Sequence, residues 1–123
     1  MKIISVGVGG AFGAVARYLL NVSPLSSALE KFPLPTFFIN VSGSFFIGFL
    51  LILLTDRIQT NDNLRMAIMV GFLGAYTTFS TFEAELWGLL KENQVTLALG
   101  YLVLSVVIGF LALIAGVRLA ENL

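Results

Sequence analysis

The residues best suited to chemistry lie in one run, Gly71 to Glu85, which reads GFLGAYTTFSTFEAE. Four hydroxyls, Thr77, Thr78, Ser80 and Thr81, fall within five positions, with Phe79 and Phe82 interleaved. Gly71 and Gly74 stand upstream, Glu83 and Glu85 downstream. Hydroxyls are neutral donors, and aromatic edges carry partial positive charge. Such a set can replace water around a small anion without a formal cation. A lipid-facing helix has no use for it, because every polar group in hydrocarbon must find a partner in the protein or line a wet cavity. The run reads as a transmembrane helix, broken where Gly71 and Gly74 flank it, that lines an ion path. Taken separately, the rings would be ordinary packing, and the hydroxyls would bond back to the preceding turn's carbonyls.

Asn40, within TFFINVSGSFFIG, adds an amide NH2 at membrane depth, on one helical face with Gly43, Ser44 and Ile47. Alone, it would be interhelical glue worth about 0.6 to 2 kcal/mol. A second polar face in the later run makes a shared site the stronger reading. Tyr101, Ser105 and Gly109, each four residues after the last, form another small polar stripe that either packs or faces the path.

The composition says what must position these groups. The 123 residues suit one domain, 1–123, and are 58% hydrophobic and 11% charged, against roughly 25% charged in soluble domains. Mean hydropathy is +0.97. The fold class is an all-α integral membrane protein with four spans, at about Ile3–Val22, Thr36–Leu54, Leu64–Leu90 and Leu97–Val117, since a spanning helix needs about 20 apolar residues. Prolines 24, 33 and 35 place a loop after the first span. The first span reads as retained rather than cleaved, because Gly9, Gly10 and Gly13 interrupt the apolar core a signal peptide needs. Gly9 with Gly13, and Ser44 with Gly48, are small pairs that let helices approach closely. Arg17 either reaches a headgroup or a helix end, or attracts anions at a vestibule.

Net charge is zero, so no nucleic-acid partner is implied. Cysteine and histidine are absent, which excludes disulfides, thiolate and imidazole catalysis and the usual zinc sites. The chain is read as not an enzyme. Four spans form a thin bundle, so self-association is expected. Lys2, Arg57, Arg65 and Arg118 fall on one side, against Lys31 and Lys91 on the other, joined by Arg17 if it snorkels that way; that balance gives little orientation bias and permits an antiparallel homodimer.

These residues resemble the small bacterial fluoride channels of the Fluc, or CrcB, type. Gly9-Gly10-Ala11-Phe12-Gly13-Ala14 with Arg17-Tyr18 resembles a GGxxGAxxRY signature. Asn40, Gly43, Phe45 and Gly48 resemble VNxxGxFxxG, and Gly71 to Phe82 resembles GFxGxxTTFSTF, the most specific of the three. The resemblance implies a dual-topology antiparallel homodimer in the bacterial inner membrane with two fluoride pores. It implies that Phe79 and Phe82 are the pore rings, that Asn40 donates to fluoride, and that Ser80 and Thr81 form a polar track. It further implies a sodium ion at the dimer centre, held by the carbonyls of Gly74 and Thr77. Glu85 matches a position at the pore mouth, and Tyr101 and Ser105 match pore-side positions. The chain departs from the pattern at Pro35, Ala75 and Gly109. Two other readings are a proton-coupled small multidrug exporter, which the absence of a first-span acid disfavours, and a membrane assembly subunit whose polar motifs only join helices.

Overall fold

The chain, described over residues 1–123 by a computed structural model, is all helix and loop. Helix α1 covers Lys2–Asn21 and stops before Ser23-Pro24, where a proline disfavours continuation. Helix α2, Leu34–Ile52, carries Pro35 in its first turn, where a missing N–H is harmless. Helix α3, Asp62–Met66, is capped by Asn61, whose side-chain oxygen accepts from the Leu64 N–H at 2.7 Å. A wide turn, Ala67–Phe72, leads into α4, Leu73–Tyr76. Helix α5 is Ser80–Lys91 and α6 is Val95–Glu121, joined through Asn93 at φ 60°, a conformation asparagine tolerates.

Three helices are long and apolar enough to cross a membrane: Lys2–Ser27, Leu34–Arg57 and Val95–Glu121, with mean hydropathy 1.6, 2.3 and 2.7. The third of the four expected spans, 64–90, is not one helix: helical backbone from Asp62 to Tyr76 and helix α5 are separated by residues 77–79. Its interruption also sits later than expected. Around Gly71 the backbone stays helical, and the chain leaves helical geometry only at Thr77, which is extended at φ −80°, ψ 157°. Gly71 serves packing instead: a Cβ there would run into the Val6 carbonyl of α1.

Small residues draw two seams. On α1, a Cβ at Gly9 would strike the Ala67 carbonyl, and one at Gly13 the Phe72 carbonyl. Between α2 and α6, Gly48 meets the Leu113 carbonyl and Gly116 the Phe45 carbonyl. Backbones that approach this closely gain van der Waals contact where lipid offers no hydrophobic drive. The seams leave an apolar groove of about 840 Å³ between them, walled by Phe12 and Phe46 and floored by Phe72, Leu73 and Tyr76. Only 17 of the 123 residues are buried, so most apolar side chains face outward, Phe12, Val15 and Leu19 of α1 and Val103, Val106 and Phe110 of α6 among them.

The ion pairs gather at the two ends. Asp62 pairs with Lys2 at 3.7 Å and Arg65 at 2.9 Å, and Arg57 donates to the Glu121 carbonyl. At the other end, Lys31 lies 3.9 Å from Glu92. Exposed pairs of this kind contribute at most about 1 kcal/mol each. Their value here is as markers of which connections share an end.

Candidate functional site

The three residues between α4 and α5 leave helical geometry and would leave backbone groups unpaired, and α2 supplies the remedy. The Asn40 amide Nδ2 donates to the Thr78 carbonyl and its Oδ1 accepts from the Thr78 N–H, both at 2.9 Å. One side chain thus mimics a peptide group and closes a two-bond ring on the interrupted backbone. Gly43, one turn on, makes room: a Cβ there would collide with the Thr77 side chain.

Two of the four hydroxyls then have local partners. Thr77 Oγ1 donates to the Leu73 carbonyl at 3.0 Å, and Thr78 Oγ1 accepts from the Thr81 N–H in the first turn of α5 at 3.3 Å. The interruption also frees carbonyls. In a continuous helix Thr78 would donate to Gly74; here it donates to Asn40, so Gly74 loses its helical donor. No backbone N–H or side chain of the chain donates to the Thr77 carbonyl.

Around this point lies a cleft of about 430 Å³, lined by Asn40, Ser44, Ile47, Gly74, Thr77, Thr78, Phe79, Phe82 and Leu113. It holds no charged side chain. The Phe79 and Phe82 ring centroids are 6.2 Å apart, with Phe79 outside at 68% exposed and Phe82 inside at 6%. Asn40 spends one of its two N–H groups on Thr78 and keeps the other.

Phe82 also packs edge-on against Tyr101, centroids 4.9 Å apart, and behind it lies a second polar cluster. Glu85 accepts from Thr36 Oγ1 at 3.0 Å on one carboxylate oxygen and from Tyr101 Oη at 2.9 Å on the other. Tyr101 and Thr36 are essentially inaccessible. One turn along α6, the Ser105 hydroxyl is buried without a partner.

The sequence-predicted residues therefore fall into three groups. Asn40, Gly74, Thr77, Phe79 and Phe82 meet in the cleft. Glu85 and Tyr101 belong to the cluster behind Phe82, with Ser105 further along α6. Ser80 and Thr81 open α5 without lining the cleft: Ser80 is exposed and Thr81 half-buried. The Arg17 guanidinium makes no hydrogen bond or ion pair within the chain. Thr36 is the residue that sequence reasoning missed. Its only signal was a hydroxyl at the start of a span, one turn before Asn40.

Comparison with known proteins matches the same stretch of chain. Residues 4–117 match the family described as CrcB-like protein, Camphor Resistance (CrcB). A protein of Solibacter usitatus named fluoride-specific ion channel FluC is 42% identical over 99% of this chain and all of its own length. One of the same name in Hydrogenobaculum is 44% identical over 94% of each chain, and another in Hahella chejuensis is 41% identical over 97% of this chain and 94% of its own. With three helices long and apolar enough to span a membrane, full-length likeness and motif residues of 40–48 and 71–82 brought to one cleft, the chain belongs to the CrcB-like family of multi-pass bacterial membrane proteins.

Proposed function

We propose that the chain is a fluoride-selective channel that lets fluoride leave the bacterial cell passively, working as an antiparallel dual-topology homodimer with two pores in the inner membrane. The observation that carries this reading is the cleft: it joins an amide donor, hydroxyls and two aromatic rings and contains no charged side chain. Relatives that match end to end are named fluoride-specific ion channels.

Fluoride holds its water strongly, and a pore must offer donors in exchange. The spare N–H of Asn40 and the positive edges of Phe79 and Phe82 do so without formal charge, and Ser80, Thr81, Tyr101 and Ser105 extend the polar track. A buried Lys or Arg would hold the ion too tightly for release, and conduction needs both entry and exit. Glu85 keeps its place at the mouth by accepting two hydroxyl bonds. In this reading 64–90 crosses the membrane as a broken third span. The end-marking contacts of Lys2 with Asp62 and of Lys31 with Glu92 support four crossings. The apolar groove and the sparse burial support a second copy.

A sodium ion at the centre of such a dimer fits the donor set. The Gly74 and Thr77 carbonyls are hard oxygen ligands, and the interruption leaves both without helical donors. Bound there, sodium would supply a fixed positive charge that offsets the cost of an anion in low dielectric.

The test is fluoride efflux from liposomes holding the purified protein, read by a fluoride electrode with chloride in parallel. Rapid fluoride release without chloride is the expected result. No release from folded, dimeric protein would overturn the reading, in favour of an exporter or an assembly subunit.

A further inference from the structure

We infer that Tyr76 and Ser42 form a positioning latch that holds the chain just before the interruption, as Asn40 holds it two residues later, and that the rate of ion passage depends on it. This rests on the channel reading above. Tyr76 is the last residue of α4, immediately before the extended Thr77. Its hydroxyl lies 3.0 Å from Ser42 Oγ. The direction of that bond follows from proton counting. Ser42 has one proton and places it on the Ile39 carbonyl at 3.1 Å, so Tyr76 donates and Ser42 accepts.

The ring is held as firmly as its hydroxyl. It stacks on Phe72, centroids 5.8 Å apart and planes within 16°, and lies against Gly43, where a Cβ would sit 3.5 Å from Tyr76 Cδ2. Tyr76 is only 8% exposed. One turn of α2 therefore grips three consecutive residues: Ser42 takes Tyr76, Gly43 receives Thr77, and Asn40 binds Thr78. The two grips face different spaces. Asn40 and Thr78 line the uncharged cleft, whereas Ser42 and Tyr76 line the apolar groove. Neither Ser42 nor Tyr76 touches the cleft, so their influence on it passes through the backbone of Thr77 and Thr78.

Two readouts test the latch, one of them independent of transport. Amide hydrogen exchange in detergent-purified protein, wild type against Tyr76→Phe and Ser42→Ala, should show the Thr77 and Thr78 amides exchanging about three- to tenfold faster in both variants, the range expected for losing one interhelical bond, with α6 unchanged. Ser42→Thr, which keeps the acceptor, should exchange as wild type. Fluoride efflux should slow in Tyr76→Phe and Ser42→Ala, with the double variant no slower than either single one, because both remove the same bond. Unchanged exchange at Thr77 and Thr78, acceleration spread equally over α6, or additive losses in the double variant would overturn the latch. If the wild-type protein passes no fluoride, the channel reading fails on its own, and the exchange pattern still decides whether the latch exists.

Discussion

Two polar places lie a ring's width apart in this protein, and they treat polarity in opposite ways. At the interruption, Asn40 lines the cleft, meets the Thr78 backbone with two bonds and retains a second N–H. Behind Phe82, Glu85 is closed: each carboxylate oxygen already accepts a hydroxyl, from Thr36 and from Tyr101. The first is uncharged and unfinished, the second charged and self-satisfied. A group that must exchange partners with a passing ion needs spare capacity, and a group that must stay put needs none.

The sharpest way to break the contrast is to put a charge where the open donor stands. Asn40→Asp replaces the donor with an acceptor that repels an anion and can no longer satisfy the Thr78 carbonyl. Fluoride efflux should fall by about a hundredfold or more, on the scale of placing a carboxylate at membrane depth, while size-exclusion chromatography checks that the protein remains assembled. Wild-type efflux would remove Asn40 from the path.

Phe82→Ile tests the wall between the two places. It removes a ring that packs on both Phe79 and Tyr101, and efflux should drop roughly tenfold, the upper range of an aromatic pair's worth, without loss of the folded dimer. Thr36→Val then opens the closed cluster by one bond. It should lower thermal stability by about 0.6 to 2 kcal/mol and reduce efflux far less than Asn40→Asp. Loss of efflux as complete as that of Asn40→Asp would erase the distinction between open and closed sites. Glu83→Gln is the smallest change. Glu83 is exposed and lies outside both places, so stability should move by less than about 0.5 kcal/mol and efflux should match wild type.

Much of this contrast could be read from the chain's residues, and its limits have physical causes. The apolar runs marked the three long helices because lipid imposes a hydrophobic length, and the ends moved by only a few residues. The cleft could be anticipated because amide, hydroxyl and glycine have no reason to recur at helical spacing in hydrocarbon. The position of the interruption could not. Glycine pairs signal both flexible backbone and close packing, and Gly71 turned out to serve packing against α1. What ends the helix is a long-range partner, Asn40, separated from Thr78 by 38 positions. The Thr36–Glu85 bond, across 49 positions, was hidden for the same reason: composition shows which carboxylates need a partner but not which hydroxyl reaches them. The roles of Thr77 and Thr78 show local bonding prevailing for those hydroxyls, with one bonding back to the preceding turn and the other accepting from the first turn of the next helix.

The wide turn Ala67–Phe72 carries a further consequence. Within it, the Leu73 N–H donates to the carbonyl of Ile68, five residues back, so the stretch holds about one residue more than regular helix would need. One residue is about 100° of rotation about the axis. The direction in which Tyr76, Thr77 and Thr78 face is thus a matter of counting. Deleting Met69 would leave every residue of the Gly71–Phe82 motif in place, yet it would swing Thr78 away from Asn40 and Tyr76 away from Ser42. For this segment, length is under stricter control than spelling, and an insertion or deletion upstream of an intact motif is as damaging as a change within it.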